Sequence, residues 1–153
     1  MFKIKAVIGI GNTLRRDDGI GIIILESLLK FYKRKGVDYL NFGAACFDLL
    51  HRLKNYDAAL IIDGINAGFK AGVLKISELK DIEYNLENCA TSTHELNLKD
   101  IFEFSGKLGI KTTIYLAGIQ VEDTSFGEGL SSALANRKEG LIKEIAAFID
   151  KTF

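Results

Sequence analysis

The sequence predicts a three-layer α/β sandwich: a mostly parallel sheet of about five strands with helices on both faces, organised as one domain over residues 1–153. Two observations lead there. Short apolar runs such as Ala58-Ala-Leu-Ile-Ile62 end in an acid and a glycine, the pattern of strands buried on both faces. Between such runs lie longer segments with apolar residues at helical spacing, and each parallel crossover puts a helix on a sheet face. No repeat, low-complexity tract or linker interrupts the alternation.

Each element follows in turn. Lys3 to Ile8 alternates weakly and then becomes wholly apolar, which reads as a first strand. From Asp17 the period changes: Ile20, Ile23, Ile24, Leu28 and Phe31 mark a buried helical stripe. Lys30, Lys33, Arg34 and Lys35 crowd its end and Gly36 follows, as at a normal helix stop. Val37 to Phe42 is a second strand, and Cys46 to Tyr56 a short helix with Phe47, Leu49, Leu50 and Leu53 on one side. Ala58 to Asp63 is the clearest central strand. Gly68 and Gly72 bracket a turn, Val73 to Ile76 gives another strand, and Leu79 to Cys89 reads as loop or edge. Ser92-Thr-His-Glu95 is a capping box that opens a helix through about Phe104. Thr112 to Gly118 is a β-branched strand, Glu122 to Gly129 a loop, and Leu130 to Phe153 a long amphipathic helix.

Composition excludes several classes of function. Twenty basic residues balance twenty acidic ones, so there is no electrostatic footprint for nucleic acid or an anionic membrane. No apolar run is long enough to span a bilayer, and lysines interrupt what would be a signal peptide. Cys46 and Cys89 form no CxxC pair, so they read as small apolar fillers in a reducing, cytoplasmic setting.

Three residues stand where chemistry is expected. Ligands bind in open α/β sheets outside the carboxyl ends of the strands. Asp18 lies just past the first strand and Asp63 ends the central one. His94 sits at a helix start, which favours the neutral imidazole that binds a metal or acts as a base. Two carboxylates and a histidine with an open fourth position suit a mononuclear catalytic metal site, with all three side chains within reach of one ion. Each residue also has a plainer reading: Asp17 and Asp18 as dipole partners of their helix, Asp63 as a turn former, His94 as a cap. Asp17 reads as dipole support rather than a ligand, and His51 as a helix-face residue without a role. The Gly9-Ile-Gly11 turn invites comparison with a dinucleotide site, but Leu14 stands where the third glycine would be, and two acids follow.

These residues resemble the hydrogenase maturation endopeptidases, which trim the C-terminal extension from the large-subunit precursor of nickel-iron hydrogenases. The resemblance lies in Gly9-Ile-Gly-Asn-Thr-Leu-Arg-Arg-Asp-Asp-Gly-Ile-Gly21, in Leu60-Ile-Ile-Asp63 and in Thr93-His94-Glu95-Leu96. It continues in Gly118-Ile-Gln-Val-Glu122, where Val121 replaces the usual proline, and in Gly127-Glu-Gly-Leu-Ser131. It implies that Asp18, Asp63 and His94 contact a metal and carry the reaction. That metal is nickel already installed in the precursor and used for recognition, with no cofactor tightly bound by the protease, although other divalent ions would fit the site. The attacking water is polarised by metal or activated by a carboxylate. One departure is Asn41-Phe-Gly-Ala44, where many members carry Asp-Gly-Gly-Thr or Asp-Cys-Gly-Thr. The competing readings are a non-catalytic nickel-dependent binding protein or chaperone for the same large subunit, and a small-molecule metallohydrolase on this scaffold.

Overall fold

The computed structural model describes residues 4–44, 48–81 and 98–153. Within them, β1 (Lys5–Gly9), β2 (Val37–Asn41), β3 (Ala58–Ile65), β4 (Leu74–Glu78) and β5 (Thr113–Gln120) form one sheet in the order β2-β1-β3-β5-β4. The first three and β5 are mutually parallel, whereas β4 runs antiparallel to β5. A parallel return needs a crossover of about a dozen residues or more. Only residues 66–73 separate β3 from β4, so the chain turns back without a helix and β4 takes the outer edge reversed.

Among the described residues, four helices flank the sheet: α1 (Ile20–Phe31), α2 (Asp48–Leu53), α3 (Leu98–Lys107) and α4 (Ser132–Thr152). Alternation along the strands divides the core in two. Val7, Leu60 and Ile62 face α1 and α4, where they meet Ile20, Ile24, Leu28, Leu141 and Ile145. Ala6, Ile8, Ala59 and Ile61 face the other way, against Leu49, Leu50, Leu53 and Phe104 of α2 and α3. Burial of Ile20, Ile24 and Leu28, each fully enclosed, is worth about 1.5–3 kcal/mol per side chain. The expected three-layer sandwich is thus the observed one.

Boundaries differ in informative ways. The helix expected from Asp17 begins instead as a 3₁₀ turn, Arg16–Gly19, and becomes α-helical only at Ile20. Arg16 has a positive φ of 44°, and Asp18 N–H bonds back to Arg15 O at 3.0 Å, which tightens the turn. The fourth strand runs two residues past the expected Ile76, to Glu78, before a 3₁₀ turn at Leu79–Asp81. The third helix extends beyond Phe104 to Lys107. The capping box at Ser92 to Glu95 lies outside the described residues, as do Cys46 and Cys89.

The strand order also locates a crevice. From β1 the chain passes through α1 to β2 on one side, and it then continues to β3 on the other side of β1. Strand ends that diverge in this way form the switch point at which open α/β sheets bind ligands. Asp18 follows β1 and Asp63 lies in β3, the two strands that meet there.

Candidate functional site

The turn after β1 is held by glycines and by one carboxylate. A Cβ on Gly11, whose φ is 149°, would stand 2.1 Å from Asp18 O; one on Gly21 would meet Ile10 O and Ile62 O, each at 2.3 Å. Only glycine lets the start of α1 lie this close to the ends of β1 and β3. Ile10 N–H donates to Ile62 O at 3.0 Å, and Asn12 N–H donates to Asp18 Oδ2 at 3.1 Å. The Asp18 carboxylate thus takes a backbone amide of the kind that a phosphate uses in a dinucleotide loop. Asn12 also accepts Leu14 N–H on its side-chain oxygen at 2.9 Å, so a single asparagine shapes the whole bend.

Asp63 is 2 % exposed and pairs in register with Gly118 of β5. By alternation it shares a face with Ala59 and Ile61, the side on which α2 and α3 pack. Asp18, 3 % exposed, is brought to the same edge through backbone contact. A Cβ on Gly64 would meet Asp17 O at 3.3 Å, so the acid-bearing turn rests directly on the residue after Asp63. Two of the three expected site residues thus lie on neighbouring pieces of chain, Asp18 in the turn after β1 and Asp63 in β3. The third, His94, lies outside the described residues. Among the described residues, no three His, Cys, Asp or Glu side chains gather to hold an ion.

Asp17 does something the residue order did not reveal. Its side chain is fully buried and accepts four hydrogen bonds: Glu122 N–H and Asp123 N–H at 2.9 Å, Ser131 N–H at 2.7 Å and Ser131 Oγ–H at 2.8 Å. Ser131 is the N-cap of α4, so the dipole this acid supports is that of α4 rather than α1. Further ties join the two loops. Arg16 N–H donates to Gly127 O at 3.0 Å, Gly127 N–H to Leu14 O at 2.9 Å, and Arg15 Nε to Thr124 O at 3.1 Å. Asp123 lies beside Arg16 at 3.7 Å. The Ser125 hydroxyl and N–H, with Arg16, hold its carboxyl below the usual range.

Two neighbouring loops are fixed in the same manner. Gln120, 4 % exposed, accepts Ala67 N–H at 2.8 Å and Phe69 N–H at 3.3 Å, and it donates to Asn66 Oδ1 and Val121 O. After β2, Gly43 O accepts Gly11 N–H at 2.8 Å, while Asn41 Oδ1 accepts Gly43 N–H at 2.9 Å. That second bond asks only for a side-chain oxygen, so Asn41 fills the turn role open to an aspartate at this position. His51 is exposed on α2, consistent with its lack of an assigned role.

Comparison with known proteins gives a consistent picture. A model of the HycI hydrogenase maturation protease family matches residues 22–148. The chain is 30% identical over 146 residues to the hydrogenase 2 maturation protease of Escherichia coli K12, covering 92% of this chain and 87% of that protein. It is 27% identical over 134 residues to the hydrogenase expression/formation protein HupD of Thiocapsa roseopersicina, covering 86% of this chain but only 61% of that longer protein. Its fold superimposes on the hydrogenase maturating endopeptidase HybD of E. coli with a TM-score of 0.83 at 25% identity, covering 97% of this chain and 93% of that one.

Proposed function

The chain belongs to the hydrogenase maturation protease family, and from that premise we propose that it is an endopeptidase that removes the C-terminal extension of a nickel-iron hydrogenase large-subunit precursor. The observation that carries the reading is the placement of Asp18 and Asp63 at the carboxyl ends of adjacent strands, across the switch point. In this reading Asp18, Asp63 and His94 contact the nickel of the substrate, which marks a precursor ready for cutting. Asp63 faces the side of the sheet on which α3 packs.

The chemistry follows from the residue types. A carboxylate at this place orients and deprotonates an attacking water, or the substrate's metal polarises that water. Water adds to the scissile carbonyl carbon, the carboxylate takes its proton, and the proton then passes to the leaving amine as the C–N bond breaks. The enzyme works in the cytoplasm on a protein partner, with no role for nucleic acid or membrane. No helix among the described residues is long and apolar enough to cross a membrane.

The test is incubation with a large-subunit precursor that carries its C-terminal extension, with and without nickel. A mobility shift and a released peptide are expected only for the nickel-loaded form, and both disappear in His94→Ala and Asp63→Asn but not in His51→Ala. A precursor bound without change of mass would replace the protease with a nickel-dependent chaperone. Equal cutting of nickel-free precursor would remove nickel recognition and leave proteolysis standing.

A further inference from the structure

We infer that Asp17 is a positioning residue, whose carboxylate joins the turn bearing Asp18 and the loop of residues 122–131 into one rigid wall of the site. The inference rests on the protease reading for its kinetic consequence but on hydrogen bonding for its structure. Three donors converge on Oδ2 and one on Oδ1, drawn from Glu122, Asp123 and Ser131, and Asp17 N–H itself donates to Asp123 O at 3.0 Å. A fully buried acid with this many donors is an organising centre for backbone that would otherwise be loop on both sides. Asp17 O packs on Gly64, so a shift at this residue moves the turn relative to Asp63. Asp17 touches no reacting atom in this scheme and acts through its neighbour Asp18.

What the wall presents to a substrate follows from the same ties. The loop held by Asp17 carries Phe126, 79 % exposed, and the turn carries Leu14, 58 % exposed; the Arg15 guanidinium lies 5.3 Å from the centre of the Phe126 ring. Loss of the Asp17 carboxylate loosens this surface and the Asp18 backbone together. The dominant loss falls on kcat, because a catalytic group misplaced by about 1 Å can cost about 100-fold.

The experiment compares Asp17→Asn, Asp17→Ala and Ser131→Ala with wild type on nickel-loaded precursor, with kcat and KM measured separately. Asparagine can keep its oxygen toward the three Oδ2 donors only by turning its NH2 against Ser131 N–H, a donor facing a donor. The expected order is a fall in kcat of about 3-fold for Ser131→Ala, about 10-fold for Asp17→Asn and about 100-fold for Asp17→Ala, with KM changed by less than about 2-fold. Amide hydrogen exchange supplies the readout that a general loss of stability would not mimic. Ser131, whose amide loses its acceptor, exchanges fastest in Asp17→Asn, and Glu122 and Asp123 exchange faster because their acceptor is no longer a carboxylate, while β3 keeps its protection. If Asp17→Ala fails to fold, Asp17→Asn and Ser131→Ala decide the matter. Wild-type kcat in Asp17→Asn overturns the inference, as does faster exchange spread evenly over the sheet. If wild type does not cut the precursor, the protease reading fails, and exchange at the three amides then decides the joining role alone.

Discussion

Asn12 and Asp18, six positions apart, close the turn after β1 on themselves: the backbone N–H of Asn12 donates to Asp18 Oδ2 at 3.1 Å. The same buried side chain thus shapes its own loop at the end of β1. Asparagine at position 18 can still accept this bond, whereas alanine cannot. Asp18→Asn is therefore expected to lose cleavage by about 100-fold or more, the range of a lost acid–base group, with stability close to wild type. Asp18→Ala should lose activity equally and also cost about 1–3 kcal/mol for the amide left unmatched. Precursor cleavage and urea titrations of the two variants separate the effects. A stable Asp18→Asn with wild-type turnover would remove Asp18 from the chemistry.

At Gly21, α1 lies close against the sheet. An added Cβ would sit 2.3 Å from both Ile10 O and Ile62 O, and these are backbone atoms in strand-end positions that cannot swing aside. Gly21→Ala is expected to destabilise by about 1–3 kcal/mol or more, despite the helix propensity of alanine. The midpoint of denaturation reads this directly, and an unchanged midpoint would show that the helix can slide on the sheet.

Gln120 should behave as a fastening for the turn after β3. Gln120→Leu keeps the bulk but leaves Ala67 N–H and Phe69 N–H without their acceptor, at about 1–3 kcal/mol for each amide that water does not recover. Faster exchange confined to residues 66–69 is the expected signature. Equal protection in the variant would mean that the turn is held by other contacts.

Tyr56 gives the molecule an alkaline sensitivity. Its hydroxyl donates to Asp38 Oδ2 at 2.9 Å, and burial followed by the Asp38 carboxylate raises its pKa above the ordinary 10.0, against a lowering influence from Arg52. A raised pKa means that the folded state holds the proton more tightly than the unfolded chain. The contribution is complete below the unfolded value near 10.0 and is lost as pH rises through the folded value. Tyr56→Phe is expected to cost about 1 kcal/mol at neutral pH and to flatten the loss of stability above about pH 10. Parallel slopes for the two proteins in that range would remove Tyr56 as the source.

Much of the site was legible because strand ends are local features. An unbroken apolar run that stops at Asp63-Gly64, and another that stops before Gly9, mark both the central strands and the edge at which ligands bind. That logic puts Asp18 and Asp63 at neighbouring strand ends, since each needs only its own flanking pattern. Asp17 and Asp18 read as favourable first-turn acids, so the sequence points to an earlier start for the first helix than the structure has, where Arg16 has a positive φ and its N–H donates to Gly127 O.

The sequence by itself determined the class of fold and the kind of element at each described stretch, and it put Asp18 and Asp63 near strand ends, because burial periodicity and turn chemistry act within a few residues. Only the tertiary structure decided the strand order, the reversal of β4 and the role of Asp17. Apolar runs carry no mark of which neighbour they pair with or in which direction. Asp17 and Ser131, separated by 114 positions, become partners only when α1 and α4 pack on the same face of the sheet. A buried carboxylate takes its meaning from the donors around it, and here the distant loop of residues 122–131 supplies all four.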